Sequence, residues 1–283
     1  MRLWLALVVV TVIASPGVAT PTPTVEVEVR RDLVYGPHPR HRLDGYLQLG
    51  AGPHPVIVFV HGGGHVSGDK GGGGLNLILP AARAGYSIIS INYRLAPEFP
   101  HPAQVEDARL AVRWIRARAG DLRIDPSRLA VAGASAGGHI ITLLAFTPCA
   151  GDPRAADPLA RQSCRPRTAV NFFGTTDLRA RRDDRLLVAL LGPSPTPAAK
   201  ADASPITHIS PDDPPTLSLH GTADPLVPYG QSTALHQALA AARVPNRLVT
   251  VEYGGHGSNW FTLAGAEAWQ QELLEWLDLH VRR

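Results

Sequence analysis

Residues 129–146 read LAVAGASAGGHIITLLAF: a short apolar strand-like segment, a serine flanked by small residues, and an apolar helix-like run. A Gly-x-Ser-x-Gly pattern at such a junction is typical of a sharp strand-to-helix turn that exposes the serine hydroxyl. Side chains at Gly133 and Gly137 would collide across this turn, and the following helix points its free N–H groups toward developing negative charge. The pattern predicts that Ser135 is a nucleophile, with a chemically inert small-residue turn as the alternative.

The rest of the chain alternates strand-like and helix-like segments, which indicates an α/β fold with a mostly parallel central sheet flanked by helices. The predicted strands are 25–30, 43–49, 56–60, 86–91, 129–132, 168–173, 216–219 and 248–252. The predicted helices are 104–118, 136–146, 232–243 and 264–281, and the glycine run at 71–74 is expected to be a flexible loop. Residues 177–215 interrupt the alternation, so we expect a small cap between the sixth and seventh strands, with a plain structural connection as the alternative.

A glycine-rich segment, HGGG at 61–64, directly follows the third predicted strand. Glycines at the carboxyl end of a strand allow backbone N–H groups to approach a ligand closely. We predict that the N–H groups of Gly63, Gly64 and Ala136 form an oxyanion hole beside Ser135. A phosphate cradle is the alternative, but the Gly-Lys-Ser/Thr sequence of a P-loop does not follow.

A serine hydroxyl is a poor nucleophile until a base takes its proton, and in this arrangement acid and base follow the serine along the chain. His256 lies in a glycine-rich loop directly after the last strand and is the predicted base; structural or solvated roles are expected for the other histidines after Ser135. Asp224, in the turn after the seventh strand, is the predicted acid that orients the base. Asp177 is the competing acid, although a capping role is expected for it.

The amino-terminal residues carry the pattern of a signal peptide. A basic residue precedes an apolar run at 3–13, which is followed by a Ser-Pro-Gly breaker and by small residues that end at Ala19. This run is shorter than the about 20 residues of a membrane-spanning helix, so no stable span is expected after cleavage. We predict a signal peptide at 1–19, a Thr/Pro leader at 20–24 and a catalytic domain at 25–283 in a secreted or periplasmic protein. An uncleaved anchor or a buried strand is the alternative.

Composition and cysteine content exclude several classes of protein. Hydrophobic residues make up 45% of the chain and charged residues 18%, which is typical of a globular domain. The net charge of +3 is too small for a basic field that would bind nucleic acid. Cys149 and Cys164 are expected to form a disulfide in an oxidising compartment, with two unrelated thiols as the alternative. They supply too few ligands for a metal site, so no metal or other cofactor is expected.

Several segments resemble the hormone-sensitive-lipase-like esterases, namely HGGG at 61–64, NYRLAPE at 92–98 and GASAGGH at 133–139. Others are similar to a bacterial feruloyl and acetyl esterase-like branch, a bifunctional esterase group: FGTTDL at 173–178, SPIT at 204–207, DDPP at 212–215 and HGTADPLVP at 220–228. The resemblance covers roughly residues 40–280 and implies the α/β-hydrolase fold with Ser135, Asp224 and His256 as the triad. His65 departs from the family, which usually has an aromatic residue after the glycine loop.

The resemblance implies a secreted serine carboxylic-ester hydrolase that acts on small-molecule or carbohydrate esters with short acyl or aromatic groups, such as acetyl and feruloyl. Trp260 and Phe261, just past the predicted base, are candidate substrate-binding residues, with a core position as the alternative. An aryl formamidase or amidase with the same triad is the competing enzyme. The chain is too short to carry the propeller of a prolyl-oligopeptidase-type exopeptidase. A non-catalytic binding module is disfavoured because all three triad candidates are present.

Overall fold

The centre of the computed structural model, which describes residues 26–182 and 184–282, is an eight-stranded sheet with the order β1-β2-β4-β3-β5-β6-β7-β8. The strands are β1 (Val27–Val34), β2 (Arg42–Gln48), β3 (His54–Val60), β4 (Ser87–Ile91), β5 (Ile124–Ala134), β6 (Thr168–Phe172), β7 (Thr216–Gly221) and β8 (Asn246–Val251). β2 pairs antiparallel with β1 and with β4, and all other neighbours are parallel. The predicted mostly parallel sheet is confirmed.

Seven α-helices connect these strands in the described part of the chain: α1 (Leu79–Arg83), α2 (Ala103–Ala117), α3 (Ala136–Phe146), α4 (Arg185–Leu191), α5 (Pro197–Asp202), α6 (Gly230–Ala241) and α7 (Ala266–Leu277). Short 3₁₀ turns at Leu75–Leu77 and Pro205–His208 and a π-helical turn at Asp278–Arg282 complete the helical segments. Three of the four long helices, α2, α6 and α7, were predicted from their apolar spacing, and α3 was predicted as an almost wholly apolar, buried helix. The short α1, α4 and α5 were not, because five to seven residues carry too little periodicity.

The hydrophobic core lies in two layers on the two faces of the sheet. Along β3, Val56, Val58 and Val60 face one layer, whereas Ile57 and Phe59 face the other, as the two-residue period of a strand requires. Helices α2, α3 and α6 cover the first face, and α1 and α7 cover the second. Burial on both faces explains why the central strands are continuous apolar runs.

The edge strand β1 is longer than predicted. A register shift between Arg30 and Leu33 interrupts its pairing with β2, and Asp32 lies there with a positive φ of 56°. Its backbone N–H donates to the buried carboxylate of Asp44 at 2.8 Å. This bulge allows the strand to continue through a charged stretch that contains no clear alternation.

The cap, residues 177–215, lies between β6 and β7 as predicted and contains α4, α5 and the 3₁₀ turn at 205–208. It has a small apolar core of its own, formed by Leu178, Leu187, Leu190 and Ala203. Asp184 caps the amino terminus of α4 by accepting from two backbone N–H groups, at 2.9 Å each. The cap is therefore an ordered element with its own packing.

Cys149 and Cys164 form the predicted disulfide, with their Cα atoms 5.3 Å apart. The bridge closes the connection between α3 and β6, and both cysteines are buried. The predicted signal peptide and leader at 1–24 lie outside the described residues. None of the helices within the described residues is long and apolar enough to span a membrane.

Candidate active site

Ser135 occupies the sharp turn between β5 and α3. Its φ and ψ are 55° and −118°, a conformation that non-glycine residues rarely adopt and that is found at functional sites. Its backbone N–H donates to the Phe172 carbonyl at 2.8 Å, which fixes the turn to the neighbouring strand β6. The strained turn predicted from the sequence is present.

Gly133 and Gly137 are required at this turn, but for two different contacts. A Cβ atom on Gly133 would overlap the backbone carbonyl of Gly137, which is the collision across the turn that the sequence predicts. A Cβ atom on Gly137 would instead overlap the carbonyl of Val60 at the end of β3. The second glycine therefore allows α3 to pack against the adjacent strand, which corrects the expectation of a clash within the turn.

Asp224 and His256 meet although 32 residues separate them in sequence. The loops after β7 and β8 bring Nδ1 of His256 to 2.7 Å from Oδ2 of Asp224. The other carboxylate oxygen accepts from the backbone N–H groups of Leu226 and Val227 at 2.8 and 2.9 Å. The Asp224 side chain is fully buried, so these contacts fix both the carboxylate and the imidazole that donates to it. With Nδ1 protonated toward Asp224, Nε2 of the neutral ring is left as an acceptor.

His220 is a second histidine beside Asp224. Its Nε2 lies 2.9 Å from the Val227 carbonyl and 3.3 Å from Oδ2 of Asp224, and its Nδ1 lies 2.7 Å from the Ser232 hydroxyl. Burial lowers the pKa of His220, which keeps the ring neutral. The ring supports the turn that carries Asp224, as expected from the sequence.

Asp177, the competing acid, is occupied elsewhere. Its carboxylate accepts from the backbone N–H and the guanidinium of Arg179, at 2.7 to 2.9 Å. The guanidinium of Arg179 lowers the pKa of this carboxyl. The carboxylate closes a turn at the start of the cap; the next helix, α4, begins at Arg185 and is capped by Asp184, so the capping role expected for Asp177 is not what the structure shows.

Ser135 and His256 line one cavity of about 870 Å³ together with Gly63, Gly64 and Ala136, the predicted donors of the oxyanion hole. The cap closes one side of this cavity through α4, and the turn after Asp224 forms another side. Within the described residues, no group of three or more His, Cys, Asp or Glu side chains is arranged to hold a metal ion.

The glycine loop is held in shape by its own backbone. Gly63 and Gly64 have positive φ values of 121° and 62°, and the Gly63 carbonyl accepts from Val66 and Ser67 at 3.2 and 3.1 Å. The Gly62 N–H donates to the Gly73 carbonyl at 2.8 Å. The run at 71–74, expected to be a flexible loop, therefore supports the glycine loop. Only the folded chain reveals this, because the contact joins segments eleven residues apart.

Trp260 and Phe261 were predicted as candidate substrate-binding residues, but neither is among the described residues that line the cavity. Trp260 is fully buried and donates from Nε1 to the Gly255 carbonyl at 2.8 Å, so it supports the loop of His256 from below. Phe261 packs against Trp269 with ring centroids 5.2 Å apart. Trp260 therefore lies in the core, and Phe261 is 42% exposed and packs on Trp269 away from the described cavity lining, which corrects the prediction.

Phe173 is a cavity residue that the sequence analysis did not identify. It follows β6 with a positive φ of 42°, and its ring centroid lies 4.4 Å from that of His256. It also packs on Trp260 at 5.2 Å, so it connects the site to the core. An unusual backbone angle at a phenylalanine cannot be read from an apolar strand end, which explains the omission.

Comparison with known proteins gives a family of esterases, in agreement with the resemblance found in the sequence. The family model described as BD-FAE matches residues 43–239. The chain is 34% identical over 240 residues to the probable carboxylic ester hydrolase LipM and 32% identical over 249 residues to the esterase LipC, both of Mycobacterium tuberculosis. These matches cover 77% and 84% of this chain but only 55% and 61% of LipM and LipC, so the chain spans less than two thirds of these curated relatives.

A solved structure titled acetyl ester-xyloside bifunctional hydrolase, from Caldicellulosiruptor lactoaceticus, superimposes with a TM-score of 0.78 at 30% identity. The superposition covers 84% of this chain and 87% of the solved chain. The sheet order, the turn at Ser135 and these matches agree with the resemblance noted in the sequence. The chain belongs to the BD-FAE family and has the α/β-hydrolase fold.

Proposed function

We propose that this chain is a serine carboxylic-ester hydrolase with Ser135 as nucleophile, His256 as base and Asp224 as acid. The observation that carries the proposal is the pairing of His256 with the buried Asp224 at 2.7 Å, in a cavity that Ser135 also lines. The names of the curated relatives, a carboxylic ester hydrolase and an esterase, support the same chemistry.

The shared cavity and the pairing of His256 with Asp224 support the following reaction. His256 takes the proton of the Ser135 hydroxyl at Nε2 while the oxygen attacks the ester carbonyl carbon. Asp224 holds the ring and stabilises its positive charge. The N–H groups of Gly63, Gly64 and Ala136 stabilise the oxyanion. His256 then gives its proton to the leaving alcohol, and water repeats the sequence on the acyl-enzyme.

We propose short acyl or aromatic carbohydrate esters, acetyl and feruloyl groups among them, as the substrates. The bifunctional hydrolase from Caldicellulosiruptor lactoaceticus is named for acetyl ester and xyloside activities, which supports a carbohydrate ester here. The cavity is large enough for an aromatic acyl group, and Phe173, Leu187 and Leu190 give it apolar walls.

Export belongs to the same proposal. The charged, apolar and small-residue segments at 1–19 have the order of a cleaved signal peptide. The disulfide between Cys149 and Cys164 is the kind of bond that persists in oxidising compartments. A secreted or periplasmic location would place the enzyme with carbohydrate esters outside the cell.

A hydrolysis panel with the Ser135→Ala variant as control tests the activity and the substrate class. The panel contains p-nitrophenyl acetate, longer p-nitrophenyl esters, acetylated xylan, methyl ferulate and formylkynurenine. We expect turnover of acetyl and feruloyl esters by the wild type, none by the variant, and fluorophosphonate labelling only when Ser135 is present. Turnover of formylkynurenine alone would favour the amidase instead.

A further inference from the structure

Residues 69–74, which we call the support segment, hold the glycine loop beside the nucleophile. The Gly73 carbonyl accepts from the Gly62 N–H at 2.8 Å. A Cβ atom built on Gly62 would lie only 3.3 Å from Cβ of Ser135, so this part of the glycine loop lies directly against the nucleophilic turn. A displacement of the support segment would therefore move the glycine loop relative to Ser135.

The backbone of Lys70 fastens the start of the support segment to the sheet. Its N–H donates to the side-chain carbonyl of Asn92 at 2.6 Å, and its own carbonyl accepts from the Ser90 hydroxyl at 2.7 Å. The Asn92 amide also donates to the carboxylate of Asp69 at 2.8 Å. Ser90 lies on β4 and Asn92 directly follows this strand, so the main chain of the segment is attached to a central element.

The side chain of Lys70 is buried and reaches two carboxylates. Its Nζ lies 3.1 Å from Oδ1 of Asp44, which is buried on β2, and 2.9 Å from Oδ1 of Asp32 on β1. Burial alone would lower the pKa of Lys70, but the hydrogen bonds to Asp32 and Asp44 raise it overall. The amine therefore stays charged, and the ion pairs connect the support segment to the two strands at this edge of the sheet.

The bulge in β1 gives Asp32 its place in this arrangement. The register shift between Arg30 and Leu33 and the positive φ of Asp32 interrupt the ladder with β2. The Asp32 N–H donates to the Asp44 carboxylate, while its own carboxylate binds Lys70. Bulges are common next to active sites, where they redirect a side chain. Here the bulge directs a carboxylate from the edge strand toward the support segment.

A buried ion pair contributes little to stability beyond what apolar side chains of similar volume would give, but it can fix one geometry. A methionine would fill the space of Lys70 without binding either carboxylate. We infer that Lys70, held by these two carboxylates, is a positioning residue that keeps the glycine loop aligned with Ser135 for binding of the oxyanion. This inference rests on the proposed function.

The variant Lys70→Met tests the inference on the full chain. Asp44 still accepts from the Asp32 N–H at 2.8 Å and from the Arg31 guanidinium at 3.2 Å, so its charge stays compensated and the fold should be kept. The rate is measured on p-nitrophenyl acetate and divided by the amount of Ser135 that a fluorophosphonate labels. We expect this kcat to fall about 10- to 100-fold with little change in KM, because displaced oxyanion donors should cost less than the about 10²- to 10³-fold of a deleted one.

A trifluoromethyl ketone distinguishes a positioning role from a merely structural one. The Ser135 oxygen adds to the carbonyl carbon of trifluoroacetophenone, His256 takes the serine proton, and the ketone oxygen becomes the oxyanion. The inhibition constant of this ketone should rise in Lys70→Met by the factor by which kcat/KM falls, because both depend on the oxyanion hole. A general loss of stability would instead lower the melting temperature and the labelled fraction, without changing the inhibition constant.

Asp32→Asn is the second variant, and it should fold, because the Asp32 side chain is 65% exposed and asparagine tolerates a positive φ. It removes one of the two charges that face Lys70, so kcat should fall about two- to fivefold, the size expected for a half-exposed ion pair. The matched control is Glu28→Gln on the same strand. The Glu28 carboxylate pairs with Arg30 and Arg123 at 2.6 and 2.7 Å, and no described residue of the support segment is among its partners, so kcat should be unchanged.

An unchanged kcat per labelled serine in Lys70→Met would overturn the positioning role, and so would a lowered kcat with an unchanged inhibition constant for the ketone. If Lys70→Met does not fold, Asp32→Asn decides: wild-type values of both constants would overturn the inference. An equal fall of kcat in Glu28→Gln and Asp32→Asn would also overturn it, because it would indicate a general effect of loosening β1. A wild-type chain that hydrolyses no ester contradicts the proposed function itself, whereas an active wild type that Lys70→Met equals contradicts this inference alone.

Discussion

At the scale of single residues, the site depends on a carboxylate that is completely withdrawn from solvent. Asp224 accepts from two backbone N–H groups and from His256, so its charge is compensated by hydrogen bonds. Asp177 has an equally well-paired carboxylate, but its partner is Arg179. The chemical type of the residue therefore does not distinguish the two aspartates, whereas the partner does.

We predict that Ser135→Ala, His256→Ala and Asp224→Asn each lower kcat by about 10⁴-fold or more, because the members of a triad act as a unit. Asp177→Asn is the matched control and should retain kcat within a few-fold. Steady-state kinetics on p-nitrophenyl acetate and the melting temperature of each variant provide the measurement. An active Asp224→Asn variant together with an inactive Asp177→Asn variant would reverse the assignment of the acid.

The glycines of the turn give a prediction on stability. Gly133→Ala places a Cβ against the Gly137 carbonyl, so we expect the free energy of unfolding to fall by about 3 kcal/mol. Gly230→Ala, at the start of α6, places its Cβ in open space and should raise that free energy by about 0.4–1 kcal/mol. Urea unfolding of both variants is the measurement. Equal effects at the two positions would show that the crowding at Gly133 relaxes at little cost.

At the scale of elements, α4 is a part of the cap that contacts the glycine loop. A Cβ built on Gly64 would lie 3.0 Å from Cδ2 of Leu186, so this leucine lies directly over a predicted oxyanion donor. Leu187 lines the cavity and also belongs to the apolar core of the cap. Leu191 packs against that core but is not among the described cavity residues. Three neighbouring leucines thus have different positions relative to the substrate.

These positions give a test of whether the cap selects substrates. Leu186→Ala removes a wall without disturbing the cap core, so kcat/KM for a bulky ester should rise several-fold relative to p-nitrophenyl acetate. Leu191→Ala, the control in the same helix, should leave this ratio unchanged. Kinetics on p-nitrophenyl acetate, butyrate and octanoate give the comparison. If both variants change all three substrates by one factor, the cap is a scaffold and does not select.

The elements also show how far sequence reasoning reaches. All eight strands were predicted: the central strands are continuous apolar runs because both of their faces are buried, whereas the edge strand β1 was predicted from alternating apolar and charged residues. The glycine loop and the segments that carry Ser135, Asp224 and His256 could be predicted as well, because each of them comes directly after a predicted strand. The positions of Phe173 and Trp260 could not be predicted, because both are apolar and only the backbone angle at Phe173 directs its ring beside His256. The support of Gly62 by Gly73 needs a tertiary contact and leaves no local pattern.

At the scale of the whole molecule, the sheet topology assembles the candidate site. The parallel strands β3, β5, β7 and β8 end at the same edge of the sheet. The residues that follow them are the glycine loop, Ser135, Asp224 and His256 in turn. The cap leaves the sheet after β6 at this same edge and so covers the cavity. A site spread over nearly 200 residues of sequence is thereby brought together by strand direction alone.

Burial of histidines is a second property of the whole molecule. Of the 12 histidines, eight have a pKa that burial lowers. They are His41, His61, His65, His101, His139, His220, His236 and His280. In the unfolded chain these rings bind protons near pH 6.5, whereas in the folded chain they bind them only at lower pH. The free energy of unfolding therefore falls as the pH is lowered through the range in which these histidines bind protons.

The sign and the window of this coupling can be stated from His61, whose pKa burial lowers to about 4. Between pH 6.5 and pH 4 the unfolded state binds a proton that the folded state does not, so stability is full above this window and falls as the pH drops through it. A shift of this size corresponds to about 3 kcal/mol for one histidine.

We therefore predict that the free energy of unfolding, measured with urea, falls steeply from pH 7 to pH 4.5. In His61→Asn, whose amide can replace the Nδ1 donor to the Gly62 carbonyl, the fall should be shallower by about one proton. An identical pH dependence of the variant and the wild type would show that His61 titrates in the folded protein as it does in the unfolded chain.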